Sequence, residues 1–559
     1  MKTNPSYAAD IVLINGIVYT VDAERRITEA LVVTGNQIVF TGRSIDSKAW
    51  IGPKTRVINL QGKMVLPGFI DSHCHITSGV CEIYEPILHG INTIEEYQQA
   101  ILDYSSLKPE LPGIQAGGWT NALFGPHGPG KELLDAVVPD RPVLLYSEDY
   151  HTAWVNSKTL EIAGITADTP NPTGGIIEHS PDGNPSGTLR ETAVELVKRS
   201  IPPYSIQQVK EGLAFFQKKA HSLGITTVFN PMVSLKELTD LHAFHDWERS
   251  GEMRLRVPSG VEIHPEDPIE IIDELITLRD KEEGKYFKIL AAKIFMDGVI
   301  EGATAYLEES YAHIPGSKGI LNWDPAKFKK MCVALDKAGF QIHVHSIGDA
   351  ATRITLDGFS EARLMNGRRD SRHSITHLQL VNLSDIDRFA SLGVIAIPQP
   401  YWFVMDANFD QAIGYIGLER AQRQYPMKSF FEKGVIAASA SDYNVTLHPN
   451  PLVAIETGIT RRIPGEKRTK TTSNSVGVLG PNECVSIKEM IDSFTIHGAY
   501  AAFLEKETGS LEVGKSADFI ILDKNIITDR PADIHKARVL NTFFDGRQVY
   551  PIDSVFDRG

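Results

Sequence analysis

The stretch Val65-Leu-Pro-Gly-Phe-Ile-Asp-Ser-His-Cys-His75 decides how the rest of the chain is read. Its first half is an apolar run of strand length. Its end sets two histidines two residues apart, and side chains at i and i+2 share one face of a strand. Both imidazoles can therefore point at one cation. Cys74, between them, points the other way, so a structural role is expected for it rather than thiolate ligation. A single His-x-His is as readily coincidence as a ligand pair, so its weight depends on what recurs downstream.

Short apolar runs do recur, at residues 225–232, 255–263, 289–297, 341–348, 373–378, 394–400 and 435–442, making eight with residues 65–73. Helix-like stretches lie among them at 234–249, 268–281, 324–338, 349–365, 383–392 and 486–503. Asp324-Pro325 is a good helix start, an N-cap before proline at the first helical position. Strand–helix alternation repeated eight times is what a (β/α)8 TIM barrel requires. The barrel is expected over residues 65–504.

Two features break the alternation. Residues 10–64 read as short strands around Asn-Gly and Gly-Asn turn signals, and residues 517–523 and 539–544 with Asp545-Gly546 resemble them. The expectation is one small composite β-sandwich domain from residues 1–64 plus 505–559. Between the first and second barrel strands lie about 150 residues, too long for a structureless connection. Residues 82–222 are expected to form an inserted subdomain over the active-site mouth, acting as a lid.

Composition narrows the function classes. With 56 basic and 70 acidic side chains the net charge is −14, which repels phosphate backbones and anionic membranes. Residues 1–10 carry no cationic-then-apolar signal pattern, and no apolar run approaches the roughly 18 residues of a membrane span. Four scattered cysteines do not make a disulfide framework. The expected protein is cytoplasmic, acts on a small molecule and binds neither nucleic acid nor membrane.

In a barrel the chemistry gathers at the C-terminal strand ends. Those ends carry His73 and His75, then Lys293, then His343 and His345, then His377, then Asp442. Alone, each has a plain structural explanation: a lysine reaching solvent, a hydrogen-bonded histidine, an aspartate capping a loop. Together they put an imidazole or carboxylate at four separate strand ends, and imidazole nitrogen with carboxylate oxygen is the donor set of catalytic zinc and its first-row neighbours. A metal site follows.

The first stretch also resembles the strand-one signature of the amidohydrolase superfamily, and Thr508-Gly-Ser-Leu-Glu-Val-Gly-Lys-Ser-Ala-Asp-Phe-Ile-Ile-Leu-Asp523 resembles its closing sandwich motif. Gly117-Gly-Trp119, Asp140-Arg-Pro-Val143, His151-Thr-Ala-Trp-Val-Asn-Ser157 and Pro185-Ser-Gly-Thr-Leu-Arg-Glu191 narrow the resemblance to the branch containing N-substituted formamide deformylases. So do Lys293-Ile-Phe-Met-Asp-Gly298, His345-Ser-Ile-Gly-Asp349 and Ser441-Asp-Tyr443. It covers essentially the whole chain. The resemblance implies two Zn2+ ions per chain, with manganese, iron or cobalt as alternatives. His73, His75 and Asp442 would hold the more buried ion, His345 and His377 the second, and an N6-carboxylated Lys293 would bridge them. Thr376 stands where many relatives carry glutamate before the strand-six histidine, which puts the support of His377 in question. A homodimer is the assembly the resemblance implies.

The implied reaction is hydrolysis of a C–N bond in an amide, N-formyl or N-acyl compound by a hydroxide generated between the ions, with Asp442 as general base and then acid. Trp119 and His151 from the insertion, and His343, are candidates for substrate contact; His343 is equally placed to support a ligand. The same centre could serve a deaminase or an ester or lactone hydrolase. A reading of another class is a catalytically dead regulatory barrel, whose mark would be a missing ligand; every expected position is filled.

Overall fold

Parallel strands alternating with helices dominate the computed structural model, which describes residues 8–281, 284–465 and 477–551. The outermost ends of the expected composite domain, residues 1–7 and 552–559, lie outside them. Six strands form one parallel sheet in chain order: Asn230–Val233, Val257–Glu262, Phe287–Phe295, Gln341–Ser346, Ser374–His377 and Ile395–Ile397. Parallel neighbours need crossovers, and helices Thr239–Arg249, Ile271–Lys281, Pro325–Lys337, Asp349–Asn366 and Leu383–Leu392 supply them. The fold is of the α/β class. Asp324 caps its helix through Lys327 N at 2.8 Å, with Pro325 in the first turn. No helix among the described residues is long and apolar enough to cross a membrane.

The first expected run, 65–73, divides at Gly68. Met64–Pro67 runs between Ile17–Tyr19 and Phe519–Leu522 in a sheet of the two termini. Phe69–Asp71 instead pairs with Ile225–Val228. A Cβ on residue 68 would stand 2.3 Å from Thr226 Oγ1, so only glycine lets the chain pass so close to the second strand. A bridge from Thr227 to Arg256 carries the pairing onward. Arg256, buried, also ties this unit to the terminal strands through Glu507 (2.7 Å), Asp545 (2.7 Å) and Asp518.

The eighth run departs from expectation. Residues 435–442 form a single parallel bridge, Ala396 to Ala437, and not a full strand. Ala438 N bonds to Ala396 O at 2.9 Å, but Ser439 N turns to Ser493 O at 3.0 Å, and Ser72 N bonds back to Ser439 O at 3.1 Å. Ile70 N takes Phe494 O at 2.7 Å. With the carbonyls of Ser493 and Phe494 used by these segments, the expected helix 486–503 splits into Ile487–Ser493 and Ile496–Ala501.

The insertion builds its own five-stranded sheet, in the order Gly175–His179, Pro185–Glu191, Thr152–Val155, Val143–Ser147, Ile114–Trp119. Its core holds Trp119, Trp154, Leu145 and Tyr97. Helix Ile206–Ser222, placed by the sequence within the insertion, belongs instead to the large central core through Val209, Leu213, Phe216 and Ala220. Gly212 in that helix meets Gly79 backbone to backbone: an added Cβ would lie 2.4 Å from Val80 N. Gly212→Ala should therefore destabilise the protein by about 1–3 kcal/mol. Gly414→Ala, in a helix with open space around the site, should stabilise by up to about 1 kcal/mol. Denaturant unfolding of the pair checks the contrast; a neutral Gly212 variant would refute the close-packing account.

Candidate metal centre

The strand registers set the site. Lys293 lies opposite His343, and Phe295 opposite His345, while Ser346 lies opposite His377. Alternation then turns Lys293, His343 and His345 to one side of the sheet. His73 and His75 lie just past the end of their strand. They are held there by Cys74 N to Phe229 O (2.9 Å), His75 N to Tyr443 O (2.6 Å) and Asp442 N to His73 O (2.8 Å). Cys74 is buried in the central core, in the structural role expected of it.

These links converge on the Asp442 carboxylate. Its Oδ1 lies 3.3 Å from His73 Nε2 and 3.2 Å from His75 Nε2, and Oδ2 lies 3.8 Å from His377 Nδ1. Among the described residues, His73, His75 and Asp442 alone form a three-donor group within 4.8 Å. The His345 ring packs against His377 at 4.5 Å between centroids. Lys293 is completely buried over the Phe295 ring, and its Nζ has no hydrogen-bond partner among the described residues. All six expected ligand positions thus face one region. Asp442 (φ 55°) and His377 (φ 75°) adopt left-handed backbone, a strained state for non-glycine residues that is held at functional sites by surrounding structure.

The electrostatics suit a cation. Burial drives His73, His345 and His377 well below the usual imidazole range, leaving neutral donors. Burial pulls Lys293 down to about 7, against the carboxylates of Asp442 and Glu262. Burial alone would raise Asp442, but the His75 contact, with the His377 ring and Lys293 beside it, carries it down to about 2. Asp442 Oδ1, like Lys293 Nζ, is buried without a hydrogen bond. Orphaned polar atoms cost about 1–3 kcal/mol each, so neutral nitrogens, an anionic oxygen and an unpartnered amine around one point fit a metal centre.

The supporting groups include residues that sequence reasoning passed over. Gln399 Oε1 meets His377 Nδ1 at 3.2 Å, and Gln399 Nε2 donates to Thr376 Oγ1 at 3.0 Å. The threonine in the glutamate position thus orients an amide from the next strand, which supplies the support that had been in question. Asp297 accepts from Ile347 N (3.0 Å) and Gly348 N (2.8 Å), fixing the turn after His345. Asp297 was visible in the sequence as a strand-end carboxylate; Gln399 carried no signal. His343 Nε2 lies 2.7 Å from His73 Nδ1, and its Nδ1 2.8 Å from Ser374 Oγ. It stands behind His73 and lines neither lobe beside the cluster, which corrects its place among the substrate contacts.

Two lobes meet at the cluster, of about 400 and 350 Å3; Asp149, His151, His345, His377, Asp442 and Val445 line both. His151 is held by Glu191 at 2.7 Å, and its backbone N by Asp149 at 2.9 Å. Burial would lower His151, but Glu191 outweighs it and raises it to about 9. Trp119 is correspondingly a correction: fully buried, it donates to Leu145 O at 3.0 Å and packs on Trp154 inside the insertion, away from both lobes.

The pattern of the amidohydrolase family matches residues 56–550. Protein LONG AFTER FAR-RED 3 of Arabidopsis thaliana is 32% identical over 97% of this chain and 92% of its own length. The N-substituted formamide deformylase of Arthrobacter pascens is 24% identical over 96% and 97%. The crystal structure of an uncharacterized metal-dependent hydrolase from Pyrococcus furiosus, 26% identical, superposes with a TM-score of 0.68 over 93% of this chain and 100% of the other.

Partners of metal-bound histidines commonly tune affinity 10–100-fold, an order-of-magnitude range. Gln399→Leu should accordingly weaken metal retention by about tenfold or more in chelator competition while leaving the melting temperature nearly unchanged. Undiminished retention would show that Gln399 does not support His377.

Proposed function

The chain belongs to the amidohydrolase family, and from that premise we propose that it is a zinc-dependent hydrolase of a carbon–nitrogen bond in an amide, N-formyl or N-acyl compound. The observation that carries the proposal is the convergence of His73, His75 and His377 on Asp442 beside an unpartnered, buried Lys293. The parallel strand order, continued by hydrogen bonds through residues 436–440 to Ser72, supports reading the main unit as a (β/α)8 barrel. We read the two-ended sheets as a composite domain and the inserted sheet as a lid.

His73, His75 and Asp442 would hold one ion, and His345, His377 and Lys293 would complete a second position. Lys293 suits this as a carbamate: its amine is lowered far enough by burial to react with carbon dioxide, and the product is an anion where an ammonium would be repelled. Bound zinc supplies Lewis acidity, polarising a carbonyl and bringing the pKa of water from ~16 towards neutrality. Asp442, ionised and with Oδ1 free of hydrogen bonds, accepts the proton of the attacking water and returns it to the leaving nitrogen. His151, fixed by Glu191 at the junction of the lobes, is the substrate contact offered by the insertion.

Zinc analysis and a panel of N-acyl and N-formyl amines test the reading together. About two ions per chain and release of free amine are expected, and Asp442→Asn should lower turnover by roughly 10²–10⁴-fold. A fully metal-loaded enzyme that releases no amine from any member would refute C–N hydrolysis, and a metal-free chain from careful preparation would refute the metal centre.

Lys293→Ala should lose both metal and activity, and a short-chain carboxylic acid should restore part of each. Unchanged metal content in that variant would exclude a bridging carbamate.

A further inference from the structure

The lobe of about 350 Å3 has a lining that the hydrolytic step does not explain. Glu148, Asp149, Glu301 and Asp406 face it; the cation on its lining is His151, which pairs with Glu191, and neither lysine nor arginine faces it. None of the four makes an ion pair among the described residues. Their partners there are neutral donors. Asp149 accepts from Ser147 Oγ (2.5 Å), His151 N (2.9 Å) and Asn121 Nδ2 (3.3 Å). Glu301 accepts from Gln379 Nε2 (3.3 Å), and Asp406 from Phe409 N (3.1 Å). Burial raises Glu148 and Glu301 to about 7 each, and Asp149 and Asp406 add repulsion at both. Four half-buried carboxylates therefore share one field.

A second feature of the same lobe points to its occupant. Trp402 lies parallel to the His377 ring at 5.8 Å and 14°, and Tyr401 and Tyr425 stand on the same lining. Aromatic faces attract cations, indole most strongly. A metal ion is a poor match, because no three carboxylates of this lobe approach within 4.8 Å; the sole such donor group among the described residues is His73, His75 and Asp442. The volume sits at the small end of ligand pockets, roughly 300–1,000 Å3, and the lobe opens directly onto His345, His377 and Asp442.

We propose that this lobe recognises a cationic nitrogen group, so that the substrate is an N-acyl compound carrying an ammonium, amidinium or guanidinium on the side of the scissile bond that enters it. The identity of the scissile bond rests on the hydrolase reading above; the preference for a cation rests on the lobe alone. N-Acyl amino acids, whose free carboxylate would enter a field of its own sign, are disfavoured there.

Calorimetry on the zinc-loaded enzyme separates the two. Benzamidinium and benzamide share a shape and differ in charge, and the amidinium, having no free lone pair, is a poor zinc ligand. Benzamidinium should bind about tenfold or more tightly than benzamide, the range of one or two hydrogen bonds to a charged group. Glu148→Gln with Glu301→Gln should bring the two probes within about twofold of each other. The single variants, each losing part of the preference, carry the same test should the double variant not fold. Equal binding of the two probes by the natural protein, or an undiminished preference in folded variants, would overturn the proposal. In the companion assay, N-acyl diamines should exceed N-acyl alkylamines of matched length in kcat/KM by a similar factor. A cation preference in calorimetry without cleavage of any N-acyl compound would leave the lobe assignment standing and refute the hydrolase reading.

Discussion

Two backbone hydrogen bonds, Asp442 N to His73 O at 2.8 Å and His75 N to Tyr443 O at 2.6 Å, splice segments more than 360 residues apart. They continue the pairing begun by Ser72 N on Ser439 O, so the last segment of the parallel unit is stitched to its first. The same two bonds deliver a carboxylate and two imidazoles to one point. The splice therefore also assembles the site: the segment carrying Asp442 cannot slip without separating the donors. This is why the strained backbone at Asp442 is tolerable, since its neighbours are pinned on both sides.

The centre is costly to build without a cation. Burial keeps three imidazoles neutral and strands an amine without a partner, while the surrounding His75, His377 and Lys293 hold a carboxylate charged against its own burial. Polar groups buried unpaired are destabilising by about 1–3 kcal/mol each. The surroundings offset this through ordered support, with His343 and Ser374 behind His73, Gln399 and Thr376 behind His377, and Asp297 beneath the turn after His345. A site held so firmly from behind is preorganised toward its open side, where the lobes meet.

Strand-end residues were legible because alternation and position are written locally: His-x-His, a strand lysine and a strand-end aspartate each follow a period of two. The caps were legible for the same reason, as Asp324-Pro325 shows. What escaped depends on partners distant in sequence. Gln399 is an ordinary glutamine until Thr376 and His377 are set beside it. The break of the expected helix at 494–495 comes from strand donors at Ile70 and Ser439, and the division at Gly68 from the nearness of Thr226. Trp119 misled because a buried tryptophan and a pocket tryptophan are spelled alike.

Under the proposed reading, reactivity and selectivity are supplied by different parts of the chain. The residues of the candidate metal centre come from strand ends or from segments just past them, whose backbone is held by inter-segment hydrogen bonds. The acidic lobe is assembled from connecting segments: Glu148 and Asp149 from the turn between insertion strands Val143–Ser147 and Thr152–Val155, Glu301 from the loop after Phe287–Phe295, and Trp402 and Asp406 from the segment after Ile395–Ile397. His151 sits two residues from Asp149 and both line both lobes, so one turn of the insertion brings an imidazole and two carboxylates, Glu148 and Asp149, to the junction beside the metal-centre residues. That turn lines the space beside the candidate metal centre, so under the proposed reading the insertion would contribute to substrate recognition as well as cover the site.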